Sequence, residues 1–231
     1  MEELSRTVML LGKDQVELLK SKKVIIFGIG GVGGYTCEAL VRSGIGQIDI
    51  VDSDEVSLSN INRQIIALHS TVGQKKVEVM KKRMHDINSD AVVNAFDTFV
   101  TPDNLHQFDL KAYDYVIDAI DTVSSKIAIA EICDKEGIRA ISSMGAGNKL
   151  NPCGFKVADI YKTSVCPLAK AVRTALKKKG VKKLKVVYSE EEPVVKSQPE
   201  GEGKRIPASC AFVPSVAGLI IASEVVKDLI K

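Results

Sequence analysis

The run Lys23-Val24-Ile25-Ile26-Phe27 leads directly into Gly28-Ile29-Gly30-Gly31-Val32-Gly33, and this junction limits the possible folds more than any other feature. A continuous apolar run that ends in glycine reads as a parallel strand buried on both faces. Glycines let the chain turn tightly there and let an anion approach the N–H groups at the start of the next helix. Residues 31–43 read as that helix, stopped by Gly44 and Gly46. Residues 47–52 read as a second strand ending in an acid. Together they form a βαβ unit.

The same alternation continues. Residues 54–71 are mostly polar and read as holding a short helix. Residues 74–88 read as an amphipathic helix with Val77, Met80, Met84 and Ile87 on one face. Strands are expected at 91–96, 115–120 and 138–142, with a helix at 124–136. A strand at 154–160, a helix at 167–179 and a short strand at 185–188 follow. Residues 189–207, rich in Glu, Pro, Gly and Lys, read as a mobile loop. Residues 213–230 read as a closing helix with Leu219, Ile220, Val226, Leu229 and Ile230 as its apolar side. The expected fold is α/β, a Rossmann-like, mainly parallel sheet flanked by helices. A C-terminal extension of short strands, mobile loop and closing helix completes it. One domain is expected over 1–231, with a nucleotide-binding core at 1–160 and a substrate-side extension at 161–231.

Composition removes several other classes. Among the 231 residues, 45% are hydrophobic and 26% charged, enough apolar mass for a proper core. A net charge of +3 does not mark the whole chain as a nucleic-acid binder. The five cysteines (Cys37, Cys133, Cys153, Cys166 and Cys210) include no CxxC pair. This argues against a disulfide framework and a tetrahedral zinc site, and fits a reducing cytosol. The first twenty residues mix acids, bases and apolar residues unlike a signal peptide, and the apolar run 213–221 is too short to span a bilayer. A cytoplasmic protein with no membrane partner is expected.

Gly28, Gly30, Gly31 and Gly33 are the candidate phosphate-side turn. Asp52 lies 24 residues after Gly28 at a strand end, where a carboxylate accepts both ribose hydroxyls, and Asp54 is placed to share that site. NAD and ATP are equally served by this set. Downstream residues discriminate between them. Arg63, within Asn60-Ile61-Asn62-Arg63-Gln64, and Lys76 are candidates for the β- and γ-phosphates of a triphosphate. Asp121, at the carboxyl end of the fourth strand, is a candidate to hold Mg²⁺ between phosphate oxygens.

These motifs, with Asp52-Ser53-Asp54, Leu58-Ser59, Thr71-Val72-Gly73-Gln74-Lys75 and Asp118-Ala119-Ile120, resemble the adenylation domain of the ThiF/MoeB superfamily. The resemblance implies ATP as the nucleotide, with Gly31 against it and Asp52 on the ribose. It places Asn60, Arg63 and Lys76 facing the phosphates, counts Ser59, Asn62 and Gln64 among the nucleotide-binding residues, and gives Mg²⁺ to Asp121. It also implies a homodimer in which an N-terminal arginine, here Arg6, enters the partner subunit's site. Members that activate sulfur-carrier proteins carry two CxxC pairs, which this chain lacks.

Arg42-Ser43-Gly44-Ile45-Gly46, residues 99–105, Gly145-Ala146-Gly147 and Ala211 to Gly218 are similar instead to the tRNA threonylcarbamoyladenosine dehydratase branch. That resemblance implies ATP-dependent dehydration of threonylcarbamoyladenosine in tRNA to its cyclic form. The route is carboxylate adenylation followed by intramolecular ring closure. It leaves room for a monovalent cation and for a sulfur-transfer partner protein. The alternative is adenylation of the C-terminus of a sulfur-carrier or ubiquitin-like protein.

Two further features bear on the substrate. Residues 170–185 hold eight basic residues (Lys170, Arg173, Lys177, Lys178, Lys179, Lys182, Lys183 and Lys185) and no acid, as expected of a surface that neutralises RNA phosphates. Glu190, Glu191 and Glu192 mark where such a surface would end. Cys166, just before Pro167, is a candidate nucleophile whose simpler reading is an incidental buried thiol; Cys210 is a weaker candidate of the same kind.

Overall fold

The computed structural model describes residues 2–195, 198–200 and 204–231. Its strands and helices follow in chain order as α1 (Ser5–Leu11), α2 (Lys13–Lys20), β1 (Lys23–Phe27), α3 (Gly33–Arg42), β2 (Gln47–Val51), α4 (Lys76–Ile87), β3 (Val92–Phe96), β4 (Tyr115–Asp118), α5 (Val123–Glu136), β5 (Ala140–Ser143), β6 (Phe155–Asp159), α6 (Pro167–Lys178), β7 (Lys185–Ser189), β8 (Gln198–Glu200), β9 (Lys204–Ile206) and α7 (Phe212–Leu229). β1 through β7 form one sheet in the order β3-β2-β1-β4-β5-β7-β6. Every pairing in it is parallel except β6 with β7. The apolar run of β1 is buried from Val24 to Phe27 because neighbouring strands flank it on both edges and helices cover both faces.

Strand order reverses between β1 and β4. The chain builds outward from β1 to β3, then crosses back to place β4 on the other side of β1. Loops that leave adjacent strand ends in opposite directions open a crevice there. On one face of the sheet, Leu40, Val41, Val77, Met80, Met84, Ile221 and Val225 fill the core; on the other, Phe27, Phe108, Val116, Ile129 and Cys133 do so. A further cluster around Ile160, Val172, Leu176 and Val186 seats α6.

Residues 161–231 are not a separate layer. β7 inserts between β5 and β6, and α7 packs along α3. The segment expected as a loop at 189–207 contains Ser189, the last residue of β7, and the β8–β9 hairpin; residues 196–197 and 201–203 of it lie outside the described residues. The expected apolar side of α7 also needs correction. Leu219 is exposed, and Ile220, Val226 and Ile230 are only partly buried. The buried face is Val213, Ala217, Gly218, Ile221, Ala222, Val225 and Leu229. Gly218 sets this register, since a Cβ there would lie 2.3 Å from the Val32 carbonyl oxygen, so α7 meets α3 almost backbone to backbone. α1 and α2 went unrecognised in the mixed N-terminal sequence, and α1 itself has no buried residue.

Candidate functional site

The glycine turn sits at the reversal point. Gly28 has φ +90°, and a Cβ on it would lie 2.8 Å from the Ala119 carbonyl oxygen beyond β4. A Cβ on Gly33 would lie 1.8 Å from the Gly28 oxygen. Both positions therefore demand glycine, one for its dihedral and both for close approach. Among the described residues no side chain caps the start of α3, and of its first N–H groups that of Gly34 already bonds the Gly30 carbonyl at 3.0 Å, so the remaining ones are open to an anion. Gly31 faces Pro214 at the start of α7 and the Arg63 side chain, with its Cβ position 3.2 Å and 3.5 Å from them.

Asp52 follows β2 directly. Its Oδ2 accepts from the Ile29 N–H at 2.6 Å and its Oδ1 from the Asp54 N–H at 2.8 Å. The first of these bonds ties the acid to the glycine turn, and the second fixes it within its own loop. Burial pushes the Asp52 carboxyl above its ordinary pKa range, against the opposing pull of Lys76 and the two N–H donors. Lys76, 5% exposed, points inward between two acids, 2.7 Å from Asp54 Oδ2 and 4.0 Å from Asp52 Oδ1. It is thus engaged with Asp54 rather than extended into the crevice.

The segment after β2 folds into a 3₁₀ turn at Leu58–Asn60. Buried Asn60 closes that turn by accepting from the Ser57 N–H, and Ser59 Oγ lies 2.9 Å from Ser57 Oγ. Half-buried Arg63 donates from Nη1 to the Ser59 carbonyl and to Asn62 Oδ1, both at 2.9 Å. Asn62 Nδ2 donates to the Ser209 carbonyl at 3.0 Å, pinning the segment before α7 across this side. Gln64 is 7% exposed, and its Oε1 has no partner among the described residues. Its Nε2 lies 3.9 Å from the Cβ position of Gly30, and a buried acceptor left open on such a side chain is available to a donor from a ligand.

Asp121 lies three residues beyond the end of β4, exposed and without an ion pair or hydrogen bond among the described residues. The turn, Asp52, Asp54, Ser59, Asn60, Asn62, Arg63, Gln64, Lys76 and Asp121 all belong to segments that leave the carboxyl ends of the strands. Arg6 does not join them. Leu4, two residues earlier, packs on Gly44, before the start of β2 and at the opposite end of the sheet. Arg6 is exposed on α1.

One feature beneath the crevice escaped the sequence reading. Lys126 of α5 is fully buried; its Nζ donates to Asp118 Oδ2 at 2.8 Å, to Ser142 Oγ at 3.1 Å and to the Ser143 carbonyl at 2.9 Å. Ser142 Oγ also donates to Asp118 Oδ2, and Asp118 Oδ1 accepts from the Ile120 N–H. The network clamps the ends of β4 and β5 under the loop that carries Asp121. The available signal was Lys126 itself, a charge on the inner side of a helix.

Among the cysteines, Cys37, Cys133 and Cys166 are buried, Cys210 is partly exposed and Cys153 is exposed. Burial pushes the Cys37 thiol far up and that of Cys133 up to about 12. No group of three or more His, Cys, Asp or Glu suited to an ion occurs among the described residues, and no described helix is long and apolar enough to cross a membrane.

A parallel sheet reversing at β1 and β4, with a glycine turn and a strand-end acid at the reversal, defines a Rossmann-like α/β protein. Within that class the chain belongs to the ThiF family, whose profile matches residues 4–231. It is 47% identical to a Bacillus subtilis protein named tRNA threonylcarbamoyladenosine dehydratase, over 100% of this chain and 96% of that protein. A Haemophilus influenzae protein of the same name is 34% identical over 94% of this chain and 89% of its own. Among solved structures, the Escherichia coli tRNA N6-threonylcarbamoyladenosine dehydratase in complex with ATP superposes with a TM-score of 0.90 at 36% identity, covering 99% of this chain and 93% of that one.

Proposed function

We propose that this protein uses ATP to adenylate the threonyl carboxylate of threonylcarbamoyladenosine in tRNA and then closes it into the cyclic form. The observation that carries this reading is that the glycine turn, Asp52, Arg63, Gln64 and Asp121 all lie on segments that leave the carboxyl ends of the strands about the β1–β4 reversal. Its support is a full-length similarity to proteins named for that dehydration and to one solved with ATP. Asp52, fixed by the turn's own N–H, is placed to accept the ribose hydroxyls. The α3 start and Arg63 receive phosphate oxygens, and Lys76 supplies positive charge behind Asp52 and Asp54.

Mg²⁺ is held in such sites by one or two carboxylates together with substrate phosphates. The free, exposed carboxylate of Asp121 fits that role; the ion would neutralise phosphate charge there. Arg6, remote from its own crevice, acts in the site of a second copy in a homodimer.

The chemistry needs no protein nucleophile. The carboxylate attacks the α-phosphorus, pyrophosphate leaves, and an acyl-adenylate forms. A nitrogen of the same modification attacks the activated carbonyl, and AMP leaves with the carboxylate oxygen. Because ring closure is intramolecular, holding the acyl-adenylate in place supplies much of the rate.

The test is to incubate the protein with ATP, Mg²⁺ and tRNA bearing the modification, then digest the tRNA and weigh its nucleosides. The expected result is loss of one water from threonylcarbamoyladenosine, with AMP and pyrophosphate formed. Unchanged nucleosides, with adenylate formed instead on a carrier protein's C-terminus, would replace this reading with the sulfur-carrier one.

A further inference from the structure

The segment 207–211, between β9 and α7, is bonded to two loops that leave different strands, and the adenylation chemistry assigns it no role. On one side it meets the loop after β5. The Asn148 N–H donates to the Ala208 carbonyl at 2.7 Å, the Ala208 N–H donates to Asn148 Oδ1 at 2.7 Å, and a Cβ on Gly147 would lie 2.6 Å from Pro207 Cβ. On the other side it meets the loop after β2, where Asn62 Nδ2 donates to the Ser209 carbonyl at 3.0 Å. β1 and β4 stand between β2 and β5 in the sheet. At about 4.8 Å between neighbours, three intervals separate β2 from β5 by about 14 Å. Yet Ala208 and Ser209 are consecutive, with Cα atoms about 3.8 Å apart. The two loops therefore converge. The segment straps them together about the carboxyl ends of β1 and β4, where the glycine turn and the Asp121 loop begin.

Asn62 links this strap to the phosphate side. It is exposed and fills no core, yet both ends of its amide are committed. Nδ2 donates to the strap, and Oδ1 accepts from Arg63 Nη1 at 2.9 Å. Turning the amide over would set Nδ2 against a guanidinium and Oδ1 against a carbonyl, so its neighbours fix its orientation. The strap carbonyl, the Asn62 amide and the Arg63 guanidinium thus form one chain of hydrogen bonds.

An acyl-adenylate has two fates. A nitrogen of the modification attacks the activated carbonyl carbon, the ring closes and AMP leaves. Alternatively water attacks the same carbon, AMP leaves and the starting carboxylate returns, so ATP is spent with no product. Keeping water out favours the first.

We propose that Asn62 is a positioning residue that latches the 207–211 strap to Arg63, so that the strap stays closed over the acyl-adenylate while Arg63 engages phosphate. The proposal rests on the adenylation reading above. The test compares wild type, Asn62→Ala and Asn62→Asp. Alanine removes both bonds. Aspartate keeps an acceptor for Arg63 but has no donor for the Ser209 carbonyl. Each protein is measured for thermal unfolding, for deuterium uptake at the Ala208 amide, for ATP–pyrophosphate exchange with modified tRNA, and for AMP formed in excess of cyclised nucleoside.

Losing one neutral hydrogen bond shifts an open–closed equilibrium by about 2–12-fold. Both variants should therefore take up deuterium at Ala208, and form excess AMP, about 2–12 times faster than wild type, with Tm within about 1 °C because Asn62 is exposed. Asn62→Asp should also raise the KM for ATP above that of the alanine variant, because its carboxylate competes with phosphate for Arg63. Wild-type uptake and wild-type excess AMP in both variants overturn the latch. Faster uptake without more excess AMP shows that the strap does not shield the intermediate, and overturns the proposal. A drop in Tm with faster uptake throughout the chain makes Asn62 a stability residue and overturns its positioning role. A wild type that exchanges no pyrophosphate with modified tRNA present overturns the adenylation reading and the shielding with it; the latch alone then stands or falls on the variants' uptake at Ala208.

Discussion

Replacing Lys126 by Met tests whether the buried network under the crevice is an ion pair whose halves depend on each other. Lys126 is 0% exposed and Asp118 3% exposed, and the ammonium is the charged partner of Asp118 at 2.8 Å. Methionine keeps most of the volume, so the loss is electrostatic rather than a cavity. It strands the Asp118 carboxylate without its counter-charge, and removing one partner of a buried pair costs about 3–5 kcal/mol. At this chain length each kcal/mol moves Tm by about 2–4 °C, so Tm should fall by roughly 6–20 °C. Asp118→Asn alone strands the ammonium and should cost a similar amount. The double variant removes both charges and should recover at least about 1 kcal/mol of the summed single losses. Urea unfolding of all four proteins, with m-values compared, measures the cycle. A K126M cost under about 1 kcal/mol, or a double-variant loss equal to the sum of the singles, would refute the reasoning.

Other expected outcomes follow from the same geometry. Asp121→Ala should remove most ATP turnover while leaving Tm within about 1 °C, because the side chain bonds nothing among the described residues; full turnover would rule out its Mg²⁺ role. Arg6→Ala should abolish turnover alone, yet mixing it with Asp121→Ala and allowing subunit exchange should restore about a quarter of the sites; no recovery in verified mixed dimers would show that Arg6 does not act across an interface. Glu38, buried on α3, is bonded by Arg83 at 2.7 Å and Arg42 at 2.8 Å. Burial works against its charge, yet the two arginines hold its carboxyl below the ordinary range. Its stabilising contribution is therefore full above the unfolded-state pKa and lost as pH falls through the lower folded one. Glu38→Gln should cost about 1–3 kcal/mol at pH 7, and the gap from wild type should close in acid; a gap independent of pH would contradict this. A thiol reagent at pH 8 should modify Cys153 first and leave Cys37 and Cys133 unmodified in the folded protein, as mass spectrometry would show.

Much of the architecture was legible in the sequence because local pattern dictates it. The apolar run Lys23–Phe27 and the glycines after it can hardly be anything but a buried strand and a tight turn, and the strand has those bounds. Val77, Met80 and Met84 specified a buried face on α4 through their spacing alone. α7 was different. It is apolar nearly all round, so periodicity did not indicate which side packs; Gly218 against Val32 decided it. Likewise, nothing in the linear chain says that β7 slots between β5 and β6, because strand order is set by how distant segments share one core.

The candidate site divides in the same way. Residue types at fixed offsets from the turn picked out Asp52, Arg63, Lys76 and Asp121, since a parallel strand delivers its final residues to one edge of the sheet whatever the rest of the chain does. Their working partners depended on tertiary structure. Lys76 is bound to Asp54, Gln64 is left with an open acceptor, and Arg6 lies at the far end of the sheet. The eight basic residues of 170–185 read alike in sequence, and only packing sets three of them apart, against Thr163, Glu131 and Asp228. Sequence by itself determined which residues lie on segments at the carboxyl edge of the sheet, because backbone periodicity is local. Tertiary structure decided which of them are available there, because pairing and burial depend on neighbours remote along the chain.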